Sequence, residues 1–125
     1  MYPDDLRYSR EHEWVRVAGS QATIGITSFA ADELGDIVFV EAPEVGSGLT
    51  QFAAFGVVES VKAVSDLFAP ISGRVVEVNA ELIESPELLN TDPFGRGWIA
   101  RLEMTNPAEL EALLDAAAYA ELTAG

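Results

Sequence analysis

The chain has 125 residues, 49% of them hydrophobic, with no cysteine, and its 21 acidic residues against 7 basic ones give a formal charge of −14. That length suffices for one domain, here residues 1–125, whose core needs neither disulfides nor a structural metal; the missing cysteines exclude a disulfide framework and any thiolate metal site. So negative a chain repels nucleic acid and anionic lipid and favours positively charged protein surfaces as partners. The segment Met1-Tyr-Pro-Asp-Asp-Leu-Arg7 has neither an apolar signal core nor an acid-free, Arg/Ser-rich character, and no run approaches the ~18 apolar residues of a membrane span. A cytoplasmic protein with no membrane partner is expected.

In chain order, a polar extension over residues 1–13 precedes a hairpin, Trp14–Val17 with Ala22–Ile26, around a loop containing Gly19. Ser28 is placed to cap a helix over Phe29–Leu34, which Gly35 ends with a left-handed residue. Asp36–Glu41 reads as a strand buried on both faces, stopped by Pro43. After the turn at Gly46 and Gly48, a strand is expected to climb through Phe52 and Phe55 towards Lys62, where apolar runs on both sides predict a reversal, although no Asn-Gly or Asp-Gly marks it. Arg74–Asn79 and Trp98–Met104 read as further strands. Ser85-Pro86 reads as the cap and first position of a helical turn, and Asn106-Pro-Ala-Glu109 as the capped start of a helix with Leu110, Leu113 and Leu114 on one stripe. Asp115 is placed to cap a last short helix through Tyr119 and Leu122. The expected class is mainly β with short helices, ending in a C-terminal helical segment.

Little catalytic chemistry is available. His12 is the sole histidine, which excludes a multi-histidine metal site, and a hydrogen-bonding role suits it better than catalysis. Gly95-Arg-Gly97 precedes a strand rather than joining a strand to a helix, so it is no dinucleotide fingerprint. Lys62, however, is the only lysine, and the other six basic residues are arginines, whose guanidinium does not deprotonate. By count alone a chance lysine is as good a reading as a unique acylation site. A chain this poor in reactive groups reads as a carrier or binder rather than an enzyme.

The residues around that lysine decide between the two. Glu59-Ser60-Val61-Lys62-Ala63, Ser65-Asp66 and Ala69-Pro-Ile-Ser-Gly73 resemble the lipoyl-attachment region of the glycine cleavage H-protein family. His12-Glu-Trp14, Ile24–Thr27, Leu34–Glu41, Pro43–Gly46, Ser85–Asn90 and Gly97-Trp98 resemble it in the same order, so the likeness spans nearly the whole chain. The resemblance implies a lipoyl-domain-like barrel-sandwich hybrid of two antiparallel sheets with Lys62 at an exposed hairpin tip, carrying lipoate in amide linkage.

It further implies a shuttle. Glycine decarboxylase, a pyridoxal-phosphate enzyme, would load an aminomethyl group; an aminomethyltransferase would remove it; dihydrolipoamide dehydrogenase would reoxidise the dithiol; and a lipoyl-attaching enzyme would install the arm. The cofactor brings the sulfur chemistry that a cysteine-free chain lacks. By position, Glu13 and Asp66 correspond to acids of the cleft that shelters the loaded arm. Phe29 stands where several relatives have histidine and Glu11 where some have serine, which predicts a more acidic, less hydrogen-bonded cleft. A lipoyl carrier in lipoate relay or in another multienzyme system would use the same Lys62. A biotin carrier would flank it with methionines, where this chain has Val61 and Ala63.

Overall fold

The computed structural model describes residues 2–124. Nine antiparallel strands form two sheets. The larger runs β1 (Arg7–Tyr8), β2 (Glu13–Ala18), β3 (Gln21–Ile26), β9 (Ala100–Met104), β8 (Gly73–Val78) and β5 (Gly48–Leu49); the smaller runs β4 (Ile37–Glu41), β6 (Ala54–Ser60) and β7 (Val64–Phe68). Alternation along the strands turns Val15, Ile24, Val75 and Leu102 of one sheet and Val40, Val58 and Leu67 of the other into a shared core, the packing of a two-sheet sandwich. The lipoyl-domain-like class expected from the resemblance is the one observed.

The other face of β2 is covered by the N-terminal extension and the last helix, α4 (Ala116–Thr123), which bury Leu6, Tyr8, Trp14 and Tyr119 together. Trp14 lies opposite Gly25 across the ladder, and a Cβ at Gly25 would come within 2.6–2.8 Å of three indole atoms. Glycine is therefore what admits the tryptophan, whose indole N–H donates to the carbonyl of Pro93 at 3.0 Å.

Several local expectations are corrected. The first helix, α1 (Ser28–Leu34), is capped not by Ser28 but by Thr27, whose hydroxyl accepts from the Ala30 amide at 3.2 Å. β4 is not buried on both faces: a bulge between Ile37 and Phe39 turns Val38 and Phe39 outward, 55% and 47% exposed. Phe52 lies in a turn at φ 67° instead of in a strand, and β6 begins at Ala54. Likewise the last strand starts at Ala100 rather than Trp98. A helix that the sequence pattern did not announce, α2 (Ala80–Glu84), follows Asn79, and Ser85 closes it; the next, α3, spans Leu88–Thr91 rather than starting at Pro86. Asn106 makes no side-chain cap bond, Pro107–Ala112 is a 3₁₀ helix, and Glu109 turns away from a capping box to accept from the Ser72 amide and hydroxyl at 2.8 and 2.9 Å. Asp115 does cap α4, through the Ala118 amide at 2.8 Å.

Candidate functional site

The reversal at Lys62 is built by a serine. Glu59 pairs with Val64, the Ser60 amide donates to the Ala63 carbonyl at 2.8 Å, and the Ser60 hydroxyl oxygen accepts from the amides of Ala63 and Lys62 at 3.0 and 3.3 Å. A serine side chain that stands in for a backbone acceptor closes the turn without the positive φ that Asn-Gly supplies. On the other flank the Val61 amide donates to the carbonyl of Asp36 at 3.0 Å, tying the tip to the start of β4. Lys62 is exposed, as are Val61 and Val64 at 71% and 68%.

The lysine stem leans on the end of α1. A Cβ at Gly35, which sits at φ 84°, would meet Lys62 Cε at 3.3 Å, so glycine both ends the helix and leaves the stem its place. Asn90 braces this segment from behind, donating to the Gly35 carbonyl at 2.8 Å and accepting from the Ile37 amide at 2.9 Å. The amine thus stands on a turn held by Ser60, Asp36 and Asn90.

A groove of about 220 Å³ lies between α1 and β7, with Phe29, Leu34 and Phe68 as apolar wall and Glu11, Glu33 and Asp66 as acids. It adjoins a hollow of about 310 Å³ between Phe52 and Phe68. Of the two acids named from sequence, Asp66 lines the groove. Glu13 does not: it is 3% exposed, and its carboxylate accepts from the Ser9 hydroxyl at 2.6 Å and the Phe68 amide at 3.1 Å. Burial pushes the Glu13 carboxyl up to about 7, against those two hydrogen bonds, which favour the charged form. Glu13 meets the groove only through the backbone of Phe68.

His12 takes the hydrogen-bonding role expected of it, at φ 75°. The Ala30 amide donates to Thr27 Oγ1, Thr27 and the Tyr119 hydroxyl are 2.7 Å apart, and that hydroxyl is 2.7 Å from His12 Nδ1. The three side chains thus form one hydrogen-bonded link from the cap of α1 through Tyr119 to His12. Burial lowers the His12 pKa and so favours the neutral ring. Phe29 packs on the imidazole, ring centroids 4.8 Å apart, so the wall of the groove, the cap of α1 and α4 are one assembly. Sequence reasoning missed Ser60 as turn former, Asn90 as brace and Tyr119 as link; the only available signal was a serine in an otherwise apolar reversal and a polar asparagine ending Ser85–Asn90.

Among the described residues no group of acids and histidine converges as a metal site. What the arrangement offers is one accessible primary amine on a rigid tip, beside an acidic groove with an apolar wall.

The whole-chain comparisons agree with this. The sequence matches the family described as glycine cleavage H-protein over residues 6–124. It is 64% identical over 121 residues to the glycine cleavage system H protein of Symbiobacterium thermophilum, covering 97% of this chain and 94% of that one. It is 59% identical over 117 residues to the probable glycine cleavage system H protein of Haloarcula marismortui, covering 94% and 92%. The crystal structure of a glycine cleavage system H protein from Mycobacterium marinum superposes with a TM-score of 0.91 at 41% identity, covering 99% of this chain and 100% of that one. A sandwich with a pinned lysine at its hairpin tip, and relatives this similar over almost their full length, lead to one conclusion: the chain belongs to the glycine cleavage H-protein family.

Proposed function

We propose that this protein is the lipoyl-carrying shuttle of a cytoplasmic glycine cleavage system, one carrier domain over residues 1–125 with lipoate in amide linkage to Lys62 Nζ. The observation that carries the reading is that the chain's only lysine stands exposed on a turn pinned from both flanks, in a member of this family. Lipoate bound there would supply a disulfide that takes up the aminomethyl group reductively, one sulfur carrying the group and the other left as a thiol, and that is a dithiol once the group has been removed. Glu59, Ser60, Val61 and Ala63 present the amine to the lipoyl-attaching enzyme. The protein itself is not a catalyst. Glycine decarboxylase with its pyridoxal phosphate, the aminomethyltransferase and dihydrolipoamide dehydrogenase do the chemistry at the end of the arm.

The chain's own residues hold a cation and limit water. Asp66, with Glu11 and Glu33, faces the groove in which an amine carried past α1 would lie, and Phe29, Leu34 and Phe68 wall it. Glu13 supports this from beneath, fixing the Phe68 amide and hence the end of β7. A charge-assisted hydrogen bond contributes roughly 1.5–3 kcal/mol when shielded and an exposed ion pair about 0–1, so a groove open on one side falls between.

The experiment adds lipoylated protein and purified decarboxylase to glycine and labelled carbon dioxide. Glycine-dependent exchange is expected for wild type and none for Lys62→Arg, which keeps the charge but has no acylatable amine. Exchange supported equally by both would overturn the assignment of Lys62.

A further inference from the structure

The smaller sheet carries charge of one sign only. Arg7, Arg16, Arg74 and Arg101 lie on β1, β2, β8 and β9 of the larger sheet together with Glu13, Glu77 and Glu103, and Arg10 and Arg96 in turns outside both sheets, whereas β4, β6 and β7 carry the acids Glu41, Glu59 and Asp66 and no arginine. On the smaller sheet the register fixes which side chains share a face. Val40 and Val58 are cross-strand partners and both buried; the alternate rows, Phe39–Glu59–Val64 and Glu41–Val57–Asp66, therefore point outward. With Val38 turned out by the bulge and Val61 at the tip, four of the large exposed apolar side chains gather around Lys62: Val38 at 55%, Phe39 at 47%, Val61 at 71% and Val64 at 68%. Exposed apolar residues scattered singly need no explanation, but a cluster rimmed by charges of one sign marks an interaction surface.

We propose that this outer face, apolar at Val38, Phe39, Val61 and Val64 and rimmed by Glu41, Glu59 and Asp66, is the docking surface for the enzyme that acylates Lys62, which meets it with an apolar depression ringed by arginine and lysine. The inference rests on Lys62 being the attachment site. Reach selects this partner over those that act on the finished arm. From Cα to Nζ a lysine spans roughly 6 Å, five staggered bonds. An enzyme that forms a bond to Nζ must therefore lie against the tip and the strands beside it, while one that acts at the far end of an acylated lysine can stand off. In the acylation the unprotonated amine attacks the carbonyl of an acyl adenylate. The amide forms, the acyl–phosphate bond breaks, AMP leaves with the electron pair, and the amine's proton goes to water. Charge on the rim speeds encounter, and the apolar row holds the complex long enough for that step.

The test measures acylation of unmodified protein by a lipoate-protein ligase supplied with lipoate and Mg-ATP, following intact mass against time over a range of carrier concentrations. Phe39→Thr/Val64→Thr puts a strand-compatible β-branched residue at both solvent-facing positions, and circular dichroism and a melting curve verify its fold. Its kcat/KM is expected to fall about tenfold or more, through KM, with kcat nearly retained. Val45→Thr, at an apolar residue 63% exposed on the loop between β4 and β5, is expected to behave as wild type. Unchanged kcat/KM in the folded double variant would overturn the proposal. So would a dimer of wild type in sedimentation that the double variant loses, since the face would then serve a second copy of this chain. Failure of the attachment reading looks different: wild type would be left unmodified, or Lys62→Arg would be modified as well as wild type.

Discussion

Glu13→Gln isolates a buried acid whose effect on stability has a definite sign. The carboxyl is 3% exposed and rises from 4.5 to about 7, chiefly through burial. Below about pH 4.5 it is neutral in both folded and unfolded chains and contributes no pH dependence. Between there and pH 7 the unfolded chain releases the proton while the folded one keeps it, so stability falls as pH rises. At about 1.4 kcal/mol per pH unit the loss reaches roughly 3 kcal/mol above pH 7, nearly in full because the group is shielded. Glutamine keeps the bond from the Phe68 amide on its carbonyl, and its NH₂ can donate to the lone pair of Ser9 Oγ that the Glu13 amide leaves free, while the Ser9 O–H loses its acceptor at every pH alike. Urea unfolding followed by the fluorescence of buried Trp14 should therefore show the variant gaining roughly 3 kcal/mol on wild type between pH 4.5 and pH 8.5, on top of a pH-independent offset. Other acids shift both proteins alike and cancel in the difference. A difference independent of pH, or a variant that loses on wild type as pH rises, would refute the placement of Glu13 as a desolvated acid.

Tyr119→Phe strands the Thr27 hydroxyl and His12 Nδ1, each 2.7 Å from the lost oxygen, and should cost about 1–3 kcal/mol in urea unfolding at pH 8. Because the His12 pKa is lowered in the folded protein, His12 costs stability as pH falls through about 6.5 and the unfolded chain takes up the proton first, against the gain from Glu13 over the same range; wild type should therefore lose stability relative to His12→Gln as pH falls from about 8 to about 5. Gly25→Ala sets a methyl 2.6–2.8 Å from the Trp14 ring and should cost about 1–3 kcal/mol or more, read as a lowered melting temperature. Raising chloride from dilute buffer to half-molar should slow association with the decarboxylase while dissociation changes less, since a charge of −14 acts over a Debye length of ~8 Å at physiological ionic strength; a salt-independent association rate in stopped flow would reject steering.

Where pattern and packing agree, the sequence was legible. Trp14–Val17 and Ala22–Ile26 alternate and form the first hairpin, and Asp115 caps α4 as its position suggests. It was not legible where a long-range partner takes over a local signal. Glu109 has the spacing of a capping box but is claimed by Ser72, 37 residues away. Asn79 reads as the end of a strand, yet its amide donates to the carbonyls of Arg96 and Trp98, and α2 starts behind it. The run Ile37–Val40 cannot by periodicity reveal a bulge that turns two of its residues to solvent. At the site, Lys62 was legible as the one amine of an arginine-biased chain, and its motif carried the family. The division of labour between Asp66 on the groove and Glu13 beneath it was not, because two acids 53 positions apart carry no mark of which one the folded chain covers.

Peptide mass spectrometry of protein expressed with lipoate, paired with Lys62→Arg, tests the central claim most directly. One lipoyl group on the peptide containing Lys62, none elsewhere, and an unmodified variant are the results expected. Lipoate on the Lys62→Arg protein, or wild type without lipoate after incubation with an active attaching enzyme, would contradict it.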